Sequence, residues 1–128
     1  MTNTQPNLDR LAALHAQRII SRTNAKKPGE IDNMVTKALG VLQENGVYAC
    51  FLYLMANEKN DAGEVVVDEM LEMLSRLGFE WNKPEDNTAQ AVLIHITDKV
   101  TVDLERLLLA KETLEQMLIY ARYGAKAR

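Results

Sequence analysis

The side chains able to do chemistry in this 128-residue chain are few and scattered. There are two histidines, His15 and His95, and a single cysteine, Cys50. A zinc site draws three or four His, Cys or carboxylate ligands from short spacings. His15 has no His, Asp or Glu three or four residues away on either side. His95 has Asp98 at i+3 and no third ligand nearby. Cys50 stands in the apolar run 48–55, reads as a small core residue and has no partner for an internal disulfide. The glycines are isolated, so no phosphate-cradling loop is expected, and no nucleophile elbow is present. Two acidic pairs, Asp68/Glu72 and Glu69/Glu72, fall about one helical turn apart and could seat a divalent ion. In an acidic segment such a run reads first as a solvated face. Hydrolytic carboxylates would also need different degrees of burial. The chain therefore reads as a non-enzyme with no metal and no cofactor, and binding is the activity to look for.

Charge is distributed for binding. The net charge is -3, which excludes a generic polyanion binder. Residues 1–40 carry +3, residues 41–105 carry -9 and residues 106–128 carry +3. If the terminal helices lie side by side, their bases form one positive face and the middle forms a negative one. A molecule polarised in this way can meet RNA on one side and a basic protein on the other. The competing reading is that the charges only solvate helix surfaces.

The elements that must position these charges are helices. Hydrophobic residues make up 47% of the chain and aromatics only 5%, with Leu, Met, Ala and Val filling the apolar positions. That composition suits helices better than a sandwich of strands. Asn7 is placed to cap a helix over 8–25, with Leu8, Leu11, Ala12, His15 and Ile19 on one face. Lys27-Pro28-Gly29 breaks it. A second helix is predicted over 30–44, ended by Asn45-Gly46. A third, over 47–58, is apolar almost all round and predicts a buried central helix. After a polar loop over 57–63 comes a fourth helix, 64–77, then a connector whose Phe79 and Trp81 plug the core edge. A short helix after Asn87 includes 91–96; its apolar run has strand-like spacing but no second strand to pair with. The last helix is predicted over 98–123, and residues 1–6 are expected to be disordered. The expected fold is all-α: a single domain over 1–128, a bundle of five or six helices with a long C-terminal helix. No secretory signal or membrane-length apolar run is seen, so a cytoplasmic protein is expected.

Two surfaces could bind. Arg18 and Arg22 are four residues apart and share the arc of Leu11, Leu14 and His15. Lys26 and Lys27 continue that cluster. These bases either meet phosphate or run along the bundle to pair with the acidic middle. The last helix has a main stripe of Val100, Leu104, Leu107, Leu114, Leu118 and Ala121. It has a second of Val102, Leu109 and Tyr120, which needs either a neighbouring helix or another copy of the chain. Past the last apolar turn stand Arg122, Tyr123, Lys126 and Arg128.

Two segments carry a family resemblance. VTKALGVLQENGVYACFLYL (35–54) is an amphipathic helix, an Asn-Gly turn and an apolar helix. TVDLERLLLAKETLEQMLIYARYGAKAR (101–128) is a long closing helix with an aromatic, basic end. With a basic N-terminal helix, the chain resembles the small-subunit family of type III-B CRISPR effector (Cmr) complexes, the fifth Cmr subunit, related to the type III-A small subunit. Members often end on a tryptophan followed by bases, where this chain reads Leu118-Ile119-Tyr120-Ala121-Arg122-Tyr123. The resemblance implies a non-catalytic subunit of an RNA-guided, RNA-targeting defence complex. Copies would stack head to tail beside the backbone and large subunits and contact the guide and target RNA without reading sequence. On this chain it points to Arg18, Arg22, Lys26, Lys27, Lys111, Arg122 and Lys126 for RNA, and to Val102, Leu109 and Tyr120 for neighbouring copies. The alternative is a helical protein–protein adaptor that binds no nucleic acid.

Overall fold

The computed structural model describes residues 7–56 and 61–128. Its elements are α1 (Leu8–Arg22), α2 (Pro28–Asn45), α3 (Val47–Ala56), α4 (Asp61–Ser75), α5 (Ala89–His95) and α6 (Leu104–Ala127), and a π-helical turn, Ile96–Val100, extends α5. The described residues form one helical bundle without strands. The expected disorder of residues 1–6 falls outside the described residues, as does the first part of the expected loop over 57–63.

Local chemistry sets most boundaries. The Asn7 side chain accepts the Arg10 N–H at 3.0 Å and starts α1. Pro28 occupies the first turn of α2, where its missing N–H costs nothing. Gly46 has φ +99, a left-handed conformation that side chains disfavour; its N–H reaches the Leu42 carbonyl at 3.0 Å while its own carbonyl receives the Cys50 N–H. One residue therefore closes α2 and opens α3.

The structure departs from the sequence reading at several boundaries and in the burial of α3. α1 stops at Arg22: Thr23 closes the last turn on the Ile19 carbonyl with its N–H and hydroxyl, and its own backbone (φ -114, ψ 20) leaves the helix. α4 begins at Asp61 instead of residue 64, with Ala62 and Gly63 already buried. α3 is not buried all round: Val47, Cys50, Phe51 and Leu54 face the core, while Tyr48 and Leu52 are exposed. The closing helix is interrupted. The Thr101 N–H reaches back five residues to the Ile96 carbonyl, and Asp103 then caps α6 by accepting the Arg106 N–H at 3.2 Å. The wider π turn keeps Val92, Ile96 and Val100 buried in one row. Leu104, placed on the main stripe by periodicity, is instead 68% exposed.

α6 is the spine of the bundle and makes its most extensive contacts with α1 and α2. Ala110, Thr113, Leu114, Met117, Leu118, Ala121 and Ala125 are its buried face. Small residues at the far end let α1 come close: a Cβ added at Gly124 would lie 3.0 Å from Ile20 Cγ1. Trp81 is buried, and Phe79 packs edge-on against it with centroids 4.9 Å apart, so the connector does plug the core. No helix among the described residues is long and apolar enough to cross a membrane.

Candidate functional site

Charged side chains gather in two places, and the fold treats them differently. The first lies between α1 and α4. Glu69 sits in the apolar stripe of α4, beside Val66, Met70 and Met73, and is fully buried. A carboxylate taken out of water needs charged or hydrogen-bonding partners. α1 supplies three of them. His15 Nδ1 lies 2.7 Å from Glu69 Oε1, Arg18 Nε reaches the carboxylate at 3.1 Å, and Arg22 donates to Oε2 at 2.5 Å. Arg22 also donates to Asp68 at 2.8 Å. Lys83, from the connector, closes the set with 2.7 Å to Asp68 and 3.1 Å to Glu72, and Arg76 adds a longer pair to Glu72 at 3.7 Å.

Protonation follows from those partners. Burial alone would push the Glu69 carboxyl up, but the bonds from His15, Arg22 and Arg18 outweigh it and hold it below the usual range. Asp68 is likewise depressed: desolvation opposes ionisation, and Lys83 and Arg22 more than compensate. Lys83 is raised, chiefly by Asp68. All three carboxylates of the acidic pairs are thus committed to cations. Among the described residues, no group of three or more His, Cys, Asp and Glu side chains is arranged to hold a metal ion. Cys50 is buried, its thiol is pushed up to about 12 by burial, and Sγ points to the Ala38 carbonyl at 3.5 Å.

The second place is the end of the bundle where α1 turns into α2 beside the close of α6. Arg128 donates to the Thr23 carbonyl at 3.2 Å and to the Lys26 carbonyl, capping the C-terminal end of α1 with a cation. Those bonds pin the Lys26–Lys27 turn to the α6 terminus. Lys27 and Lys126 are exposed and Lys26 is half-buried. None of these three pairs with a carboxylate among the described residues. Arg122, on the neighbouring side of α6, has Nε buried and 3.6 Å from Asp32 of α2, too far for a hydrogen bond.

The residues expected to meet RNA fall in different parts of the structure. Arg18 and Arg22 do not form a free cationic face: they turn along α1 onto Glu69 and Asp68, because a buried carboxylate on α4 outcompetes solvent. Arg122 is shared with Asp32. Lys111 lies fifteen residues before Lys126 on one helix, roughly 22 Å away along the axis, and belongs to neither cluster. Lys26 and Lys27 lie in the turn that Arg128 binds, and Lys126 stands two residues before Arg128 on α6, so all four occupy the same end of the bundle. The residues expected to meet another copy also divide. Leu109 shares a surface groove with Leu8 and Asp9, and the Tyr120 hydroxyl donates to Asp9, so both belong to the α1–α6 seam. Val102 lies outside the helix and is 73% exposed, next to exposed Leu104 and Leu108.

The sequence reading names Glu69 only in an acidic pair on a solvated face, and the structure corrects that by burying it. Its signal was present: a carboxylate inside the arc of Val66, Met70 and Met73 must find a cation or a hydrogen-bond donor. Which one it finds, 54 residues upstream at His15, is set by the docking of α1 on α4. Comparison of the chain with protein-family models, with curated proteins and with solved structures finds no match in any of the three.

Proposed function

We propose that this chain is a non-catalytic small subunit of a type III CRISPR RNA-guided, RNA-targeting effector complex. In this reading it works in the cytoplasm, in several copies, beside backbone and large subunits. Its basic end lies against the guide–target RNA backbone. The observation that carries the reading is the convergence of Lys26, Lys27, Lys126 and Arg128, drawn from opposite ends of the sequence, on one end of the bundle. Exposed lysines that lack carboxylate partners suit phosphate, and so small a cluster neutralises only a few phosphates. Binding by the isolated chain is therefore weak, salt-dependent and indifferent to sequence. The exposed Val102, Leu104 and Leu108 at the other end of α6 supply an apolar contact for a neighbouring copy or subunit.

The test is a gel-shift against single-stranded RNA and a guide–target duplex across a salt series. Charge reversal at Lys26 and Lys27 lowers affinity for every RNA sequence and reduces the salt slope by about 2. Retention of full affinity removes the basic end from the interface. A second reading, a helical adaptor without nucleic acid, is favoured by the open apolar face of α3, where Tyr48 and Leu52 are 39% and 46% exposed. It is the surviving reading if no RNA is retained at low salt and a protein partner co-purifies.

A further inference from the structure

The basic end also carries an aromatic ring that core packing does not use. Tyr123 is 61% exposed. The other exposed aromatic, Tyr48 on α3, is less open at 39%. Tyr120 is half-buried and spends its hydroxyl on Asp9. Tyr123 differs from both in its surroundings. Lys126 Nζ stands 5.9 Å from the ring centroid, at the outer limit of a cation–π contact. Arg128, five residues on and about 8 Å along the helix axis, ties this turn of α6 to Lys26. An exposed ring thus stands beside Lys126, at the end of the bundle where Lys26, Lys27 and Lys126 have no carboxylate partner among the described residues.

An aromatic face within a positive patch fits a particular ligand. Phosphates take the lysines, and a nucleobase takes the ring, because every base has a π-face to offer. Bases inside a duplex are already stacked on one another and cannot offer that face; bases of a single strand can. We propose that Tyr123 is a stacking platform for an unpaired base of single-stranded RNA, with Lys126 and the Lys26–Lys27 turn holding the flanking phosphates. This rests on the RNA-binding reading above and adds a preference for strandedness without sequence readout. The lysines then meet the RNA backbone whether paired or not, and the ring adds a contact that only an unpaired nucleotide can make.

The test uses the full chain and fluorescence anisotropy with a labelled single-stranded RNA, free and annealed to its complement, at one low salt concentration. Because Tyr123 is exposed, Tyr123→Leu keeps the fold, which the unchanged thermal midpoint confirms. The expected result is a roughly tenfold loss of single-strand affinity in Tyr123→Leu, little change on the duplex, and near-parental binding by Tyr123→Phe. Equal single-strand affinity of Tyr123→Leu and the parent chain overturns the platform and leaves the RNA-binding reading intact. An equal loss on both forms also overturns it, since the ring would then act without a free base. A parent chain that binds neither form overturns the RNA-binding reading itself, and the platform with it.

Discussion

Arg18 and Arg22 lie only one turn of chain before Lys26 and Lys27, yet the two pairs live in different electrostatic worlds. The arginines are drawn onto α4, where Glu69 has no exposure and Asp68 little. The lysines sit past the end of α1 and pair with no carboxylate among the described residues, and the Lys26 carbonyl accepts from Arg128 at the close of α6. The contrast shows that a cationic stretch of sequence is not a cationic surface. A guanidinium beside a buried carboxylate has a strong claim on it, because leaving that carboxylate unpaired costs more than leaving a surface lysine solvated. The α1–α4 cluster therefore commits its cations to carboxylates of the fold, whereas Lys26 and Lys27 have no carboxylate partner among the described residues.

The sharpest way to break this comparison is to remove the anion at its centre. Glu69→Ala leaves buried His15 without its partner, while Arg18 and Arg22, 46% and 38% exposed, turn to water; it should destabilise the protein by about 1–3 kcal/mol in urea denaturation. A loss below about 1 kcal/mol would show that the cluster does not hold α1 to α4. Acid should act on the same place. Glu69 and Asp68 have folded carboxyls held below their unfolded values, so their contribution is complete above the unfolded pKa, about 4, and is lost as pH falls through the depressed folded values. The urea midpoint is expected to hold from neutral pH down to about 5 and then drop, with a shallower drop in Glu69→Gln; parallel curves for the two proteins would place the acid sensitivity elsewhere.

The basic end should respond in the opposite manner. Lys26→Glu with Lys27→Glu is expected to change stability by no more than about 0.5 kcal/mol while weakening RNA binding, read by thermal melting and filter binding on one preparation. A large stability loss would erase the distinction between the two regions. The most local effect belongs to Arg128→Ala. It removes two bonds to carbonyls at the end of α1 and should cost at most about 1 kcal/mol. Faster amide exchange confined to the α1–α2 turn and the last turn of α6 is the signature to look for, and exchange accelerated throughout α1 would contradict it.

Much of the architecture was legible before any coordinates. Asn7, Pro28 and Gly46 act through rules that need only neighbours in sequence: a side-chain cap, a fixed φ and a left-handed turn. The apolar spacing of α2 and α4 placed their buried faces, and Cys50 and Trp81 fell where their hydrophobicity put them. The closing helix was misread because Val100 and Leu104 are four apart and continue a helical period. The i+5 bond at Thr101 and the cap at Asp103 interrupt that period without changing the apolar pattern.

What sequence alone determined is the set of helices, the composition of the core and the presence of bases at both ends with acids between. These follow from local propensity and periodicity, which act over a few residues. What only the tertiary structure decided is which base meets which acid. Glu69 finds His15 across 54 positions, Arg122 comes beside Asp32, and Arg128 binds a turn some hundred residues upstream. Electrostatic pairing depends on distances of a few ångströms between helices, and those are fixed by how α1, α2 and α4 pack together and around α6. Charge counted along the chain gives the supply of cations. Packing decides which of them remain for a partner.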